Sequence, residues 1–110
     1  MVRTMTTTEQ MGFRALADPT RRSILQLLAN DNLTIAEVAD NFQMTRAAVK
    51  KHLTILHEGN LISVQIQGRS RLNSLNTDGL QQLMSWFDFF DTFWDERLNT
   101  LKTEIEKDIQ

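Results

Sequence analysis

Leu33 to Asn73, LTIAEVADNFQMTRAAVKKHLTILHEGNLISVQIQGRSRLN, carries the punctuation of two helices and a hairpin in 41 consecutive residues. Thr34 followed three residues later by Glu37 forms a capping box, and Ile35, Val38, Ala39 and Phe42 then recur at helical spacing as an inward face. A turn over Phe42 to Met44 leads to Thr45, a good N-cap for a second helix that runs to about Glu58 and buries Val49, Leu53 and Leu56. Gly59-Asn60 ends that helix, both residues tolerating positive φ. Leu61 to Gln67 alternates as a strand, Gly68-Arg69 supplies a turn, and Ser70 to Leu75 returns as the partner strand. Helix, tight turn, second helix and small basic hairpin is the layout of a winged helix-turn-helix, whose second helix lies in a major groove of DNA.

The residue types on the exposed face agree with that layout. Opposite the buried stripe of the second helix lie Ala47, Lys50, Lys51 and Thr54, with Thr45 and Arg46 at its start, where a recognition helix meets base edges. Charge on a helix is ordinarily just a solvated face. Here the cations share one face after a turn and a Gly-Arg hairpin follows, which favours DNA contact; Gly68, Arg69 and Arg71 are the matching candidates on the wing. His52 falls at the edge of the buried stripe and reads as a packed histidine with one hydrogen bond to the DNA backbone, whereas His57 reads as merely exposed. Arg21 and Arg22 either reach a phosphate or pair within the chain with Asp18 or Glu37.

Outward from this centre, a first helix is predicted over Thr8 to Ala17 with Met11, Phe13 and Leu16 as its apolar residues. Asp18-Pro19, cap then proline, starts a helix to about Ala29 that buries Ile24, Leu25, Leu27 and Leu28. After the wing, one long helix is expected from Thr77 or Asp78 to Ile109. It carries two apolar stripes: Leu80, Leu83, Phe87, Phe90, Trp94, Leu98, Leu101 and Ile105 on one seam, and Trp86, Phe89 and Phe93 on another. One stripe packs on the chain's own core and the other lies bare on a monomer, so Met11, Phe13, Trp86, Phe87, Phe89, Phe90, Phe93 and Trp94 are expected to form a homodimer interface. The fold class is therefore mainly α with a small β-hairpin: five helices, a mobile N-terminus over residues 1–7, and one DNA-binding and dimerising domain over residues 8–110.

At 110 residues and 41% hydrophobic content the chain supports one modest core. It has no cysteine, hence no disulfide framework, no thiolate metal site and no thiol nucleophile, and with neither a long apolar run nor a signal peptide it is expected in the cytoplasm. The formal net charge of −2 appears unsuited to a polyanion, but its distribution is uneven. Residues 1–43 hold four Arg against five acids, residues 44–75 five Lys/Arg against Glu58 alone, and residues 76–110 three Lys/Arg against eight acids. Local potential at a contact surface governs association with DNA more than the total does. Catalysis is not expected, because the two histidines have no nucleophile or acidic partner at motif spacing.

FRALADPTRRSILQLL (Phe13 to Leu28), MTRAAVKKHLTILHEGNLI and QGRSRLNSLN together resemble winged-helix transcriptional regulators of the ArsR/SmtB type, over about residues 11 to 105. The tail WFDFFDTFWDERLNTL is similar to the branch with a long aromatic final helix and no evident metal site. The resemblance implies a dimeric repressor with two recognition helices in successive major grooves of an inverted-repeat operator. It places Arg46, Ala47, Lys50 and Lys51 at DNA-contacting positions, and Gly68, Arg69 and Arg71 in the wing. Lys50 replaces a small hydroxyl residue common in the family, Asn73 an aromatic of the returning wing strand, and Asn60 a glycine. The metal sensors of the family use Cys pairs or His and carboxylate clusters. Asp88, Asp91 and Asp95 align without a histidine in the last helix, so neither metal nor cofactor is expected. A small-molecule effector between the aromatic stripes stays open, and the competing function is a winged helix that binds protein rather than DNA.

Overall fold

Each of the first five helices begins where a side chain is available to close it. In the computed structural model, which describes residues 4–109 without the side chains of Thr92, Trp94, Asp95, Asp108 and Ile109, α1 spans Thr7–Leu16. The Thr6 hydroxyl accepts from the Glu9 N–H, and the Glu9 carboxylate accepts from the Thr6 N–H. α2 (Pro19–Asn30) is capped by Asp18, α3 (Ile35–Phe42) by the expected Thr34–Glu37 box, and α4 (Arg46–Glu58) by Thr45, whose hydroxyl accepts from the Ala48 N–H at 3.1 Å. These caps satisfy donors that the first helical turn leaves unpaired.

The strands make a three-stranded antiparallel sheet where a two-stranded hairpin was expected. β1 (Leu33–Thr34) pairs with β3 (Ser70–Leu75), which pairs in turn with β2 (Ile62–Gln67), in the order β1-β3-β2. Asn73 explains the extra strand: it is buried, and its side-chain amide donates to the Leu33 carbonyl at 3.2 Å. The residue that replaces an aromatic in the wing therefore ties the wing to the start of α3. At the other end of the hairpin Gln67 pairs with Ser70, and of the two loop residues only Gly68 has positive φ (61°), as in a type II′ turn.

The core is built by Ala15, Ile24, Leu25, Leu28, Val38, Ala39, Val49, Leu53, Leu56, Leu61, Ile62 and Leu83. Leu27, expected inside, is only half-buried. α4 ends at Gly59-Asn60 as the sequence indicates, but the two residues serve it differently. Asn60 takes the left-handed conformation (φ 63°) but Gly59 does not (φ −80°), and Gly59 is needed instead because a Cβ there would stand 2.8 Å from the Gly12 Cα. At the turn between α3 and α4, Gln43 is also left-handed (φ 53°), with no glycine to announce it.

The single long last helix is the main correction. Among the described residues there are six α-helices rather than five, because a 3-10 turn over Phe87–Phe90 separates α5 (Thr77–Trp86) from α6 (Asp91–Ile109). Nor does one apolar stripe return to the core along its length. Leu83 is 3% exposed, but beyond it Phe87 is 45%, Leu98 61% and Ile105 51% exposed. The expected Trp94 contact lies outside the described residues. α6 projects from the body, which gives a radius of gyration of 19.0 Å against about 13 Å for a compact chain of this length.

Candidate nucleic-acid interface

α4 is held by its buried side and presents the other. Val49, Leu53 and Leu56 are sealed in the core, whereas Thr45, Arg46, Ala47, Lys50, Lys51 and Thr54 are exposed. The Thr54 hydroxyl donates to the Lys50 carbonyl at 2.9 Å, which leaves its oxygen as an acceptor on the outer face. A hundred degrees per residue puts Arg46, Lys50 and His57 on the side of α4 nearest the wing, with Ala47 and Lys51 farther round.

Two adjoining grooves lie between α4 and the wing. One, of about 340 Å³, is bordered by the first turn of α3, by Arg46, and by Arg69, Ser70 and Arg71. The other, of about 160 Å³, continues from it past Arg71 and is lined by Lys50, Thr54, His57, Val64 and Asn73. Arg46 on the helix and Arg69 and Arg71 on the hairpin, more than twenty residues apart in sequence, thus border one groove. His57, read from sequence as simply exposed, lines the second.

The charges in this region are unspent. Among the described residues, none of Arg46, Lys50, Lys51, Arg69 and Arg71 has an ion-pair or side-chain hydrogen-bond partner within the chain. Arg21 and Arg22 contrast with them. Arg21 donates from Nε to the Ala15 carbonyl at 2.8 Å and from Nη2 to the Arg14 carbonyl at 3.2 Å, and Arg22 donates to the Leu16 carbonyl at 2.6 Å. Both guanidinium groups satisfy carbonyls at the end of α1, an alternative to phosphate or carboxylate pairing that the sequence reading did not include. His52 is half-buried, its Nδ1 lying 3.5 Å from Arg21 Nη1 and 4.0 Å from Asp18 Oδ2, so it fastens α4 to the α1–α2 junction. The Asp18 carboxyl is held below its ordinary range, first by the Arg21 N–H and then by the Arg21 and His52 charges, with desolvation opposing them.

Where α1 meets the end of α5 and the 3-10 turn, the rings gather. Phe13 of α1 meets Trp86 and Phe87 edge-on at 6.0 and 5.9 Å, and Trp86 lies 5.2 Å from Phe90. Phe89 reaches Phe90 but is 77% exposed, and Met84 and Phe93 are also exposed. An open hollow of about 380 Å³ lies among Phe89, Phe90, Phe93 and Glu96. No group of three or more metal-binding side chains occurs among the described residues, and no described helix is long and apolar enough to cross a membrane.

Residues 18–64, from the Asp18 cap through α4 into β2, match the model of the bacterial regulatory protein arsR family. The chain is 38% identical over 74 residues to the transcriptional repressor SdpR of Bacillus subtilis, covering 67% of this chain and 82% of that protein. It belongs to the arsR family. A second relative, the HTH-type transcriptional regulator Rv2034 of Mycobacterium tuberculosis, is 35% identical over 86 residues, 78% of each chain. A crystal structure of an ArsR family transcriptional regulator superposes with a TM-score of 0.72 at 30% identity, over 80% of this chain and 97% of that one. The chain is thus an ArsR-family transcriptional regulator with a DNA-binding winged helix-turn-helix, and the family is not one of enzymes.

Proposed function

We propose that this regulator is a homodimeric cytoplasmic repressor of transcription that binds an inverted-repeat operator through α4 and the wing of each protomer. The observation that carries the reading is the set of cations without a partner among the described residues: Arg46, Lys50, Arg69 and Arg71 line the α4–wing grooves, and Lys51 is exposed farther round α4. An unpaired surface cation stays hydrated in free protein; against DNA it displaces condensed counterions, and that release drives binding. Arg46, Ala47, Lys51 and Thr54 face base edges, with Thr45 and His52 near the flanking backbone. Lys50, Gly68, Arg69 and Arg71 follow the phosphates. The kinship with a protein named as a repressor supports the direction of regulation. Residues 1–7 precede this machinery and residues 8–110 form the working domain.

The second copy covers the aromatic pole. Met11 and Phe13 of α1, with Trp86, Phe87, Phe89, Phe90 and Phe93 of the last helices, supply an apolar surface distinct in character from the basic grooves. An effector that enters the hollow beside Phe89 and Phe93 would act on this same surface. The test is titration of labelled duplexes from a binding selection across a salt series. With three or four phosphates neutralised per protomer, log affinity falls against log salt with a slope of roughly −5 to −7 per dimer. Salt-independent affinity, or no binding to any duplex at low salt, removes the proposal and leaves a protein-binding winged helix as the surviving reading.

A further inference from the structure

The wing carries one residue that neither the core nor its charge explains. In the register of the hairpin, Ile62, Val64 and Ile66 share a face with their partners Leu75, Asn73 and Arg71. Ile62 is 2% exposed, Val64 lines the groove beside α4, and Ile66, two residues farther toward the tip, is 73% exposed. One strand face thus runs from the core, past the recognition helix, to an unburied branched aliphatic about 7 Å beyond the last packed residue. Ile66 lies directly across from Arg71, which borders the groove it shares with Arg46 and Arg69. β2 is also an outer strand of the sheet, where a bare apolar side chain invites association unless something covers it.

We propose that Ile66 is a specificity residue of the wing, an apolar probe of the DNA minor groove that disfavours the guanine amino group. This inference rests on the DNA-binding reading above. When Arg69 and Arg71 seat on the phosphates, the Ile66 side chain, across from Arg71 and just behind the turn that holds Arg69, is carried against the sugars and the groove floor. A·T pairs show only acceptors there, whereas G·C adds the N2 amino donor. An isoleucine offers that donor no acceptor and excludes the water that would serve it. A desolvated, unpaired donor weakens binding by about tenfold. A·T preference in the pairs beneath the wing follows from the exclusion of one amino group, without any hydrogen bond from the protein.

Inosine isolates that group, because I·C matches G·C in the major groove but lacks the minor-groove amino. A selected operator, with the wing-protected pairs located by hydroxyl-radical footprinting, is prepared with A·T, G·C or I·C at those pairs, and affinity is read by fluorescence anisotropy. The unmutated protein should bind the A·T and I·C duplexes alike and the G·C duplex about tenfold more weakly. Ile66→Thr keeps a β-branched side chain on the exposed strand and adds an acceptor, so it should narrow the difference to within about twofold. Equal binding of all three duplexes, I·C as weak as G·C, or an undiminished difference in Ile66→Thr overturns the assignment while leaving DNA binding standing. A change in light-scattering mass with unchanged base preference assigns Ile66 to a protein contact and overturns it equally. Failure to bind any duplex overturns the functional reading as well.

Discussion

At the scale of single residues, what distinguishes the arginines is whether their N–H groups are already used. Arg21 and Arg22 satisfy carbonyls of α1, whereas Arg46 and Arg69 have no such partner among the described residues and border the groove between α4 and the wing. Arg46 starts the recognition helix, and its guanidinium fork suits guanine, worth about 1–3 kcal/mol of discrimination at one base pair of each half-site. Arg46→Ala should flatten preference at one symmetric position in selections on randomised duplexes, and Arg69→Ala should weaken all sequences nearly equally. The reverse pattern would exchange their roles. Asp18 gives a prediction on stability. Its folded pKa is depressed, so its contribution is complete above the ordinary aspartate range near pH 3.9 and is lost as pH falls through the lower folded value. Asp18→Asn retains a capping side chain and removes the charge. The gap in Tm between the unmutated protein and this variant should therefore be open at pH 6 and close below about pH 4; a gap that widens on acidification contradicts the assignment.

At the scale of elements, caps and turns were legible and junctions were not. Thr34, Thr45 and Asp18 act as the caps their types predict, because a cap needs only a side chain and the following three residues. β1 is two residues long and exists because Asn73, forty positions away, holds Leu33 in place, so no local pattern announces it. The docking of α5 on the end of α4 is of the same kind. The Asn76 side chain accepts from the Gly79 N–H and donates to the Asn60 carbonyl and side chain, and a Cβ on Gly79 would lie 1.7 Å from the Asn60 oxygen. Neither backbone can yield without parting the helices. Gly79→Ala should cost about 3 kcal/mol or more and lower Tm by over about 10 °C in calorimetry. A fall of only a degree or two would mean that the junction is looser than this contact implies.

At the scale of the whole molecule, basic and aromatic surfaces are segregated. The basic grooves lie between α4 and the wing, and the aromatic rings lie where α1 meets the 3-10 turn and α6 begins. With Phe89 and Leu98 mostly exposed, a lone chain holds several large apolar side chains in water. Burying each contributes about 1.5–3 kcal/mol, enough in sum to exceed the entropy lost on pairing. The unmutated protein should therefore scatter light as a dimer at micromolar concentration, and Phe89→Asp should scatter as a monomer, or aggregate, with its helical content kept. A well-behaved monomer of the unmutated chain would refute the dimer.

What the sequence determined by itself is whatever depends on short range: the capped helices, the hairpin turn at Gly68, the apolar stripe of α4 and the identity of its exposed cations. Those features follow from hydrogen bonds and periodicity within a few residues, so they are written in consecutive letters. Packing in three dimensions was needed to bring Arg46, Arg69 and Arg71 to one groove, to let Asn73 bind a third strand, and to require Gly59 for close approach to Gly12 rather than for its φ. It also decided where the last helix leaves the core. Leu83 and Leu98 look alike as members of one stripe, yet one is sealed and the other bare, because burial depends on what lies opposite in space and no periodicity within a helix encodes that.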